Sequence, residues 1–187
     1  MARKFEKLLH KFNPEYNEAA TIEGDSDFVA RPQAYFRGAS QIPGAKYNVG
    51  FQVMVRPYFL DRNPHIHNVD EYLIYMGVPY PDPFSNFDAK IRLVLGEGAE
   101  AEEYIITEPT IIRIPAGVVH CPMEFVEVRK PVFFQAALMQ GMFGAIGNYE
   151  GKEVEMYYNG PGMCIFDANK KCDSCRKCLS VEWSPEQ

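Results

Sequence analysis

Turn residues break this chain into short apolar runs, and that restricts what it can fold into. Its 187 residues include 14 Gly and 14 Pro, scattered along its length. No apolar stretch approaches the roughly 18 residues that a membrane-spanning helix needs. The segments between breaks have strand length and strand pattern. Ala89 to Leu95 sets Ile91, Leu93 and Leu95 against Lys90 and Arg92, which predicts a half-exposed strand. Tyr47 to Leu60 alternates well enough for one long strand, and Tyr72 to Met76, Glu103 to Thr107, Thr110 to Ile114 and Val132 to Leu138 read as others. Val78 to Phe87 is rich in proline and aromatic residues and reads as a loop, either a lid or a subunit contact. Many short strands with frequent turns imply an all-β sandwich or barrel rather than βαβ units. A chain of this length forms one domain with a sizeable core.

The ends read differently. Phe5, Leu8, Leu9 and Phe12 recur at helical spacing and Asn13-Pro14 follows, so a short N-terminal helix is expected to lay an apolar stripe on the barrel or on a partner. Residues 1–46 are expected to form this helix and an irregular arm, 47–142 the barrel, and 143–187 a C-terminal extension with a Cys-rich tail.

Three of the four histidines fall with one glutamate into a metal-ligand pattern. His65 and His67 are two positions apart, so on a strand they point the same way, about 6–7 Å apart. Glu71 would lie about 13 Å beyond on a straight strand. The chain is therefore expected to reverse at Asn68-Val69-Asp70, returning Glu71 on the next strand. His120 arrives from elsewhere, after the Pro115-Ala116-Gly117 turn. Three imidazoles and a carboxylate suit a divalent first-row metal with open positions, with iron preferred and manganese, nickel or zinc as alternatives.

These segments, Pro64-His65-Ile66-His67-Asn68-Val69-Asp70-Glu71 through Gly77 and Ile112 through His120, resemble the two signature motifs of the cupin superfamily. The resemblance covers roughly residues 48–140. It departs at Phe59 and Pro109, where the family often has a leading glycine, and at Glu124, where an Asn often follows. It implies a single jelly-roll barrel whose ligands are His65, His67, Glu71 and His120. It leaves several functions open: an oxygenase, isomerase or decarboxylase acting on a small polar metabolite, or a non-catalytic metal or small-ligand sensor. A third class is a redox protein that uses the cysteine tail as a second centre.

Strand parity nominates pocket residues. Tyr75 shares the face of Glu71, Arg56 could pair with a substrate carboxylate, and Gln135 is a later candidate; the bland alternatives are core packing for Tyr75 and a rim charge for Arg56. Cys121, next to His120 on an extended strand, is expected to be a buried, inert thiol pointing away from the metal. Cys164, Cys172, Cys175 and Cys178 have spacing that can hold zinc or an iron–sulfur cluster, with reduced thiols or redox disulfides as the alternatives.

The net charge of −6 argues against nucleic-acid or anionic-membrane partners. The first residues lack an apolar segment of secretory type, and five cysteines are an odd number, which fits a reducing compartment. A cytoplasmic homodimer is the expectation, since jelly-roll sheets often pair to cover exposed faces.

Overall fold

The computed structural model describes residues 8–11, 14–15, 28–30, 33–36, 38–62, 64–78, 80–139, 144–149, 152–157, 163–164 and 166–171. Among the described residues fourteen strands run in order: β1 Pro14–Glu15, β2 Gln33–Phe36, β3 Asn48–Met54, β4 Tyr58–Asp61, β5 Glu71–Gly77, β6 Ala89–Leu95, β7 Glu102–Ile106, β8 Thr110–Ile114, β9 His120–Val128, β10 Val132–Leu138, β11 Gly144–Tyr149, β12 Lys152–Tyr157, β13 Met163–Cys164 and β14 Asp167–Lys171. Among the described residues no helix is long and apolar enough to cross a membrane.

Strands β3 to β10 pair in a nested way. β3 pairs β10, β4 pairs β9, β5 pairs β8 and β6 pairs β7, all antiparallel. This is one long hairpin rolled up so that its rungs fall alternately into two sheets. One sheet has the order β1-β2-β3-β10-β5-β8 and the other β4-β9-β6-β7. The result is a jelly roll, as the pattern of short strands and the motif resemblance imply.

The expected strand over 47–60 is in fact two strands in different sheets. Val55-Arg56-Pro57 breaks it: Pro57 offers no N–H to a ladder and restricts the backbone of Arg56. In the arm before the barrel, Ala34, Tyr35 and Phe36 pair with Phe51, Gly50 and Val49, so β2 extends the larger sheet. Only part of the expected N-terminal helix is described, and there Leu8 and Leu9 are exposed rather than packed; Phe5 and Phe12 lie outside the described residues.

The core is mostly apolar, with buried polar groups at Gln33 and Gln52 and, toward one end of the sandwich, at Asn48, His67, Glu71 and His120. Tyr75, Phe125 and Phe134, all essentially inaccessible, form a trio with ring centroids 5.2, 5.6 and 6.2 Å apart, in the range aromatic pairs favour. Met54, Ile91, Leu93 and Val132 pack with them in one cluster. In the larger sheet Gly77, Val132 and Met54 share one row, while Glu71, Leu138 and Asn48 share another six residues along. At about 3.3 Å per residue the two rows are roughly 20 Å apart.

Candidate metal centre

Glu71 opens β5 and faces inward at the second of these rows, 5% exposed. The residues before it bend at Asn68-Val69, as the sequence requires. Asp70 fixes this bend. Its Oδ2 accepts a hydrogen bond from Arg113 Nε at 2.7 Å, its Oδ1 one from the Ala116 N–H at 3.2 Å, and its carbonyl one from the Met139 N–H at 3.1 Å. The Arg113 hydrogen bond holds the Asp70 carboxyl below its ordinary range, with help from Ala116. Asp70 thus joins the two motifs side by side.

The backbone adds further stitches between them. His65 and His120 form an antiparallel bridge, with each N–H donating to the other's carbonyl at 3.0 and 3.1 Å. The Gly117 N–H donates to the His67 carbonyl at 2.8 Å. Gly117 has φ +79°, and this left-handed turn brings β9 back toward the first motif.

His120 begins β9, and that strand carries a bulge. Leu93 pairs with Met123 but Leu95 pairs with His120, so β9 uses one extra residue. Without it, His120 and Met123 would face opposite sides; with it, His120, Met123 and Phe125 all point into the sandwich. The extra length is taken up at Cys121, which has φ +74°.

The three imidazoles consequently converge. Their ring centroids are 4.3 Å apart for His65 and His120, 5.0 Å for His65 and His67, and 5.1 Å for His67 and His120. One ring nitrogen from each lies within 4.8 Å of the others. Glu71 Oε2 stands 3.0 Å from His120 Nε2 and 3.7 Å from His67 Nε2. His120 Nε2 is buried and, despite the closeness of Glu71, makes no regular hydrogen bond to it. His120 Nδ1 lies 3.0 Å from the Val118 carbonyl. The carbonyl can only accept, so Nδ1 carries a proton; a cation would take the place of a proton at Nε2, the usual arrangement of a ligating imidazole.

The electrostatics agree. Burial pushes the Glu71 carboxyl up, but the His120 contact and the charges of His67, His120 and His65 outweigh it, and its pKa lies below the ordinary value. Burial pushes the His120 imidazolium down, and Glu71 and the Val118 carbonyl more than reverse this. A charged carboxylate therefore persists in a buried position with three imidazoles around it. Buried charge of this kind needs a compensating cation or full hydrogen bonding. The donor set fits a divalent transition metal.

The other nominated residues lie elsewhere. Tyr75 is on the Glu71 face but is wholly buried in the aromatic trio, and its hydroxyl donates to Met123 Sδ at 2.9 Å. Arg56 is exposed on the turn after β3, beyond the row of Met54 and so at the opposite end of the sheet from Glu71. Gln135 pairs with Phe51 and Ile74, on the face of the sheet opposite Glu71 and Tyr75, because alternate residues of β10 face opposite ways. Glu124 lies within 3.4 Å of Arg92, beside Phe59 in the register of β4 and β9. Cys164 is half-buried in β13, whereas Cys172, Cys175 and Cys178 lie outside the described residues.

Cys121 departs from expectation. It is buried, but it does not point away from the histidines. Its left-handed backbone turns the thiol so that Sγ, a His65 ring nitrogen and an Asp61 carboxylate oxygen lie within 4.8 Å of one another. Burial, and then the charges of Asp61 and Glu71, push its pKa well up. Asp61 was not nominated from the sequence. It stands four residues before His65, ends β4, and brings Oδ2 to 3.7 Å from His65 Nδ1.

No family model and no curated protein matches the chain. Solved structures do. A Bacillus subtilis oxalate decarboxylase whose Mn(II) centres have been studied is 14% identical, with a TM-score of 0.41 over 59% of this chain and 26% of the other. Vicilin from hazelnut, Corylus avellana, is 12% identical, with a TM-score of 0.44 over 78% and 34%. A mutant of the same decarboxylase is 13% identical, with a TM-score of 0.43 over 72% and 31%. The match spans a quarter to a third of the length of these structures.

Proposed function

We propose that this chain is a single-barrel cupin that holds one divalent transition metal through His65, His67, Glu71 and His120 and binds or transforms a small polar metabolite there. One observation supports this most directly. The buried His120 Nε2 lies 3.0 Å from a buried carboxylate oxygen, and one ring nitrogen each of His65, His67 and His120 lies within 4.8 Å of the others. A bound ion would supply Lewis acidity and open positions for an oxygen ligand. Iron is the first choice for the ion, followed by manganese, nickel and zinc. The protein's own residues prepare the place. Glu71 contributes the negative charge, and the Val118 carbonyl keeps His120 in the ligating tautomer. The Tyr75, Phe125 and Phe134 trio packs the interior on the inward face of β5 beyond Glu71 and keeps water from entering there.

Elemental analysis of protein purified without oxygen tests the reading. About one transition-metal ion per chain in the wild type, and much less in His67→Ala, is expected. A metal content that is the same in both would overturn it. Turnover of metabolite pools by the loaded protein separates an enzyme from a sensor.

A further inference from the structure

The sandwich contains a second set of metal-ligating side chains that shares only His65 with the proposed centre. Asp61 comes from the end of β4, His65 from the segment after it, and Cys121 from the bulge of β9. Cys121 is distant in sequence from Asp61 and His65, and two backbone irregularities accompany their approach. The register of β4 on β9 slips between Phe59 and Asp61, and that of β6 on β9 slips between Leu93 and Leu95. The second slip is the one that turns Cys121 inward.

We propose that Asp61, His65 and Cys121 form a second cation site, for a divalent ion with affinity for sulfur such as zinc or cobalt. The chemistry of the donors selects the ion. A thiolate disfavours magnesium and calcium, while a mixed sulfur, nitrogen and oxygen set with one further position suits tetrahedral zinc. The spacing fits: metal–donor bonds of about 2.0–2.3 Å put the donors of one tetrahedral ion roughly 3–4 Å apart, and these three atoms lie within 4.8 Å. Exposure grades from 3% at Cys121, through 11% for the His65 side chain, to 38% for that of Asp61. The thiol is sheltered while the carboxylate meets solvent, so an ion can enter past Asp61. On binding, the sulfur–metal bond forms and the thiol proton passes to solvent. His65 is shared: Nδ1 faces Asp61, and Nε2 remains the ring's other donor, for the set with His67, Glu71 and His120. A neutral imidazole has a single lone pair, so with both ions bound His65 would bridge them as an imidazolate, its ring proton also passing to solvent, and loading either site changes the charge felt at the other.

The test uses the full chain with Cys164, Cys172, Cys175 and Cys178 changed to Ser, so that Cys121 is its one remaining thiol. Cobalt(II) is added without oxygen, and the thiolate-to-cobalt charge-transfer absorption is followed. The band is expected in this protein and in His67→Ala, and is expected to vanish in Cys121→Ser. Asp61→Asn, which keeps the thiol and nearly the same volume, is expected to weaken the cobalt that carries the band at least tenfold and serves as the test if Cys121→Ser does not fold. Bound cobalt without the band, a band that survives Cys121→Ser, or unchanged affinity in Asp61→Asn overturns the proposal. Loss of the band in His67→Ala also overturns it, since sulfur would then belong to the histidine centre. A failure of the histidine centre itself reads differently: the band is present, and His67→Ala removes no cobalt.

Discussion

Removing the metal from the proposed centre should lower the melting temperature by an amount that the structure bounds. Glu71 lies in the larger sheet and His120 in the smaller, while His65 and His67 lie on the connection between β4 and β5. One ion held by all four ties both layers at one end. An ion that binds only the folded state stabilises it by RT ln(1 + [L]/Kd), about 4 kcal/mol at a thousandfold excess over Kd. For a chain of this size each kcal/mol moves the midpoint by roughly 2–4 °C, so the ceiling is about 8–16 °C. The assay is a thermal melt of metal-loaded, chelated and reloaded protein, with metal content measured at each stage. It is repeated with Cys164, Cys172, Cys175 and Cys178 changed to Ser, since a chelator also strips ions from thiols. Full recovery on reloading is expected. A midpoint that does not move, with metal shown to be absent, refutes the claim that the ion joins the two sheets.

Further outcomes follow from named contacts. In Gly77→Ala the new Cβ stands 2.7 Å from the Asn86 and Pro83 backbones and 2.9 Å from that of Phe87. Those atoms cannot swing aside, so a loss of about 1–3 kcal/mol is expected by denaturant unfolding; a neutral result would show that the 78–87 loop does not hold this position. Tyr75→Phe removes a hydroxyl bonded only to a thioether, a weak acceptor, and should cost under about 1 kcal/mol. Phe134→Ala should cost about 3–5 kcal/mol in the same assay, and comparable losses would mean the hydroxyl matters more than the packing. Asp70→Ala removes the links to Arg113 and Ala116 and should speed metal release to a chelator severalfold with little change in melting temperature; the reverse pattern refutes a role in aligning the motifs. Finally, the Phe84 N–H and Ser85 hydroxyl bonded to Asp82 lower its pKa. The contribution is therefore present above the ordinary aspartate range and is lost as pH falls through the lowered value. Amide shifts of Phe84 and Ser85 should titrate below the ordinary aspartate midpoint, and a midpoint at or above it counts against these bonds.

Much of the fold was legible because its signals are local. Alternation marked β6, and short runs between turns marked β8 and β10 at the ends the structure shows. The approach of His65, His67 and Glu71 could be read from spacing and a forced reversal. What escaped depends on backbone irregularity. β9 contains Pro122, a left-handed Cys121 and a bulge, so its inward residues do not alternate in any simple way. An extended reading of that strand turned Cys121 outward and gave no reason to look at Asp61. Arg56 and Gln135 were nominated by parity alone, which cannot say where a strand stops or which face meets the other sheet; Pro57 and the register of β10 decide both.

The separation of the aromatic trio from the imidazoles along β5 has an engineering consequence. The proposed donor Glu71 lies at one end of the strand, and residues that fill the interior, such as Tyr75, lie further along it. The donor set can be rewritten, with histidine exchanged for carboxylate or thiol, while the packing that makes the scaffold fold is left alone. Reactivity and architecture can then be varied as two nearly independent dials on one molecule.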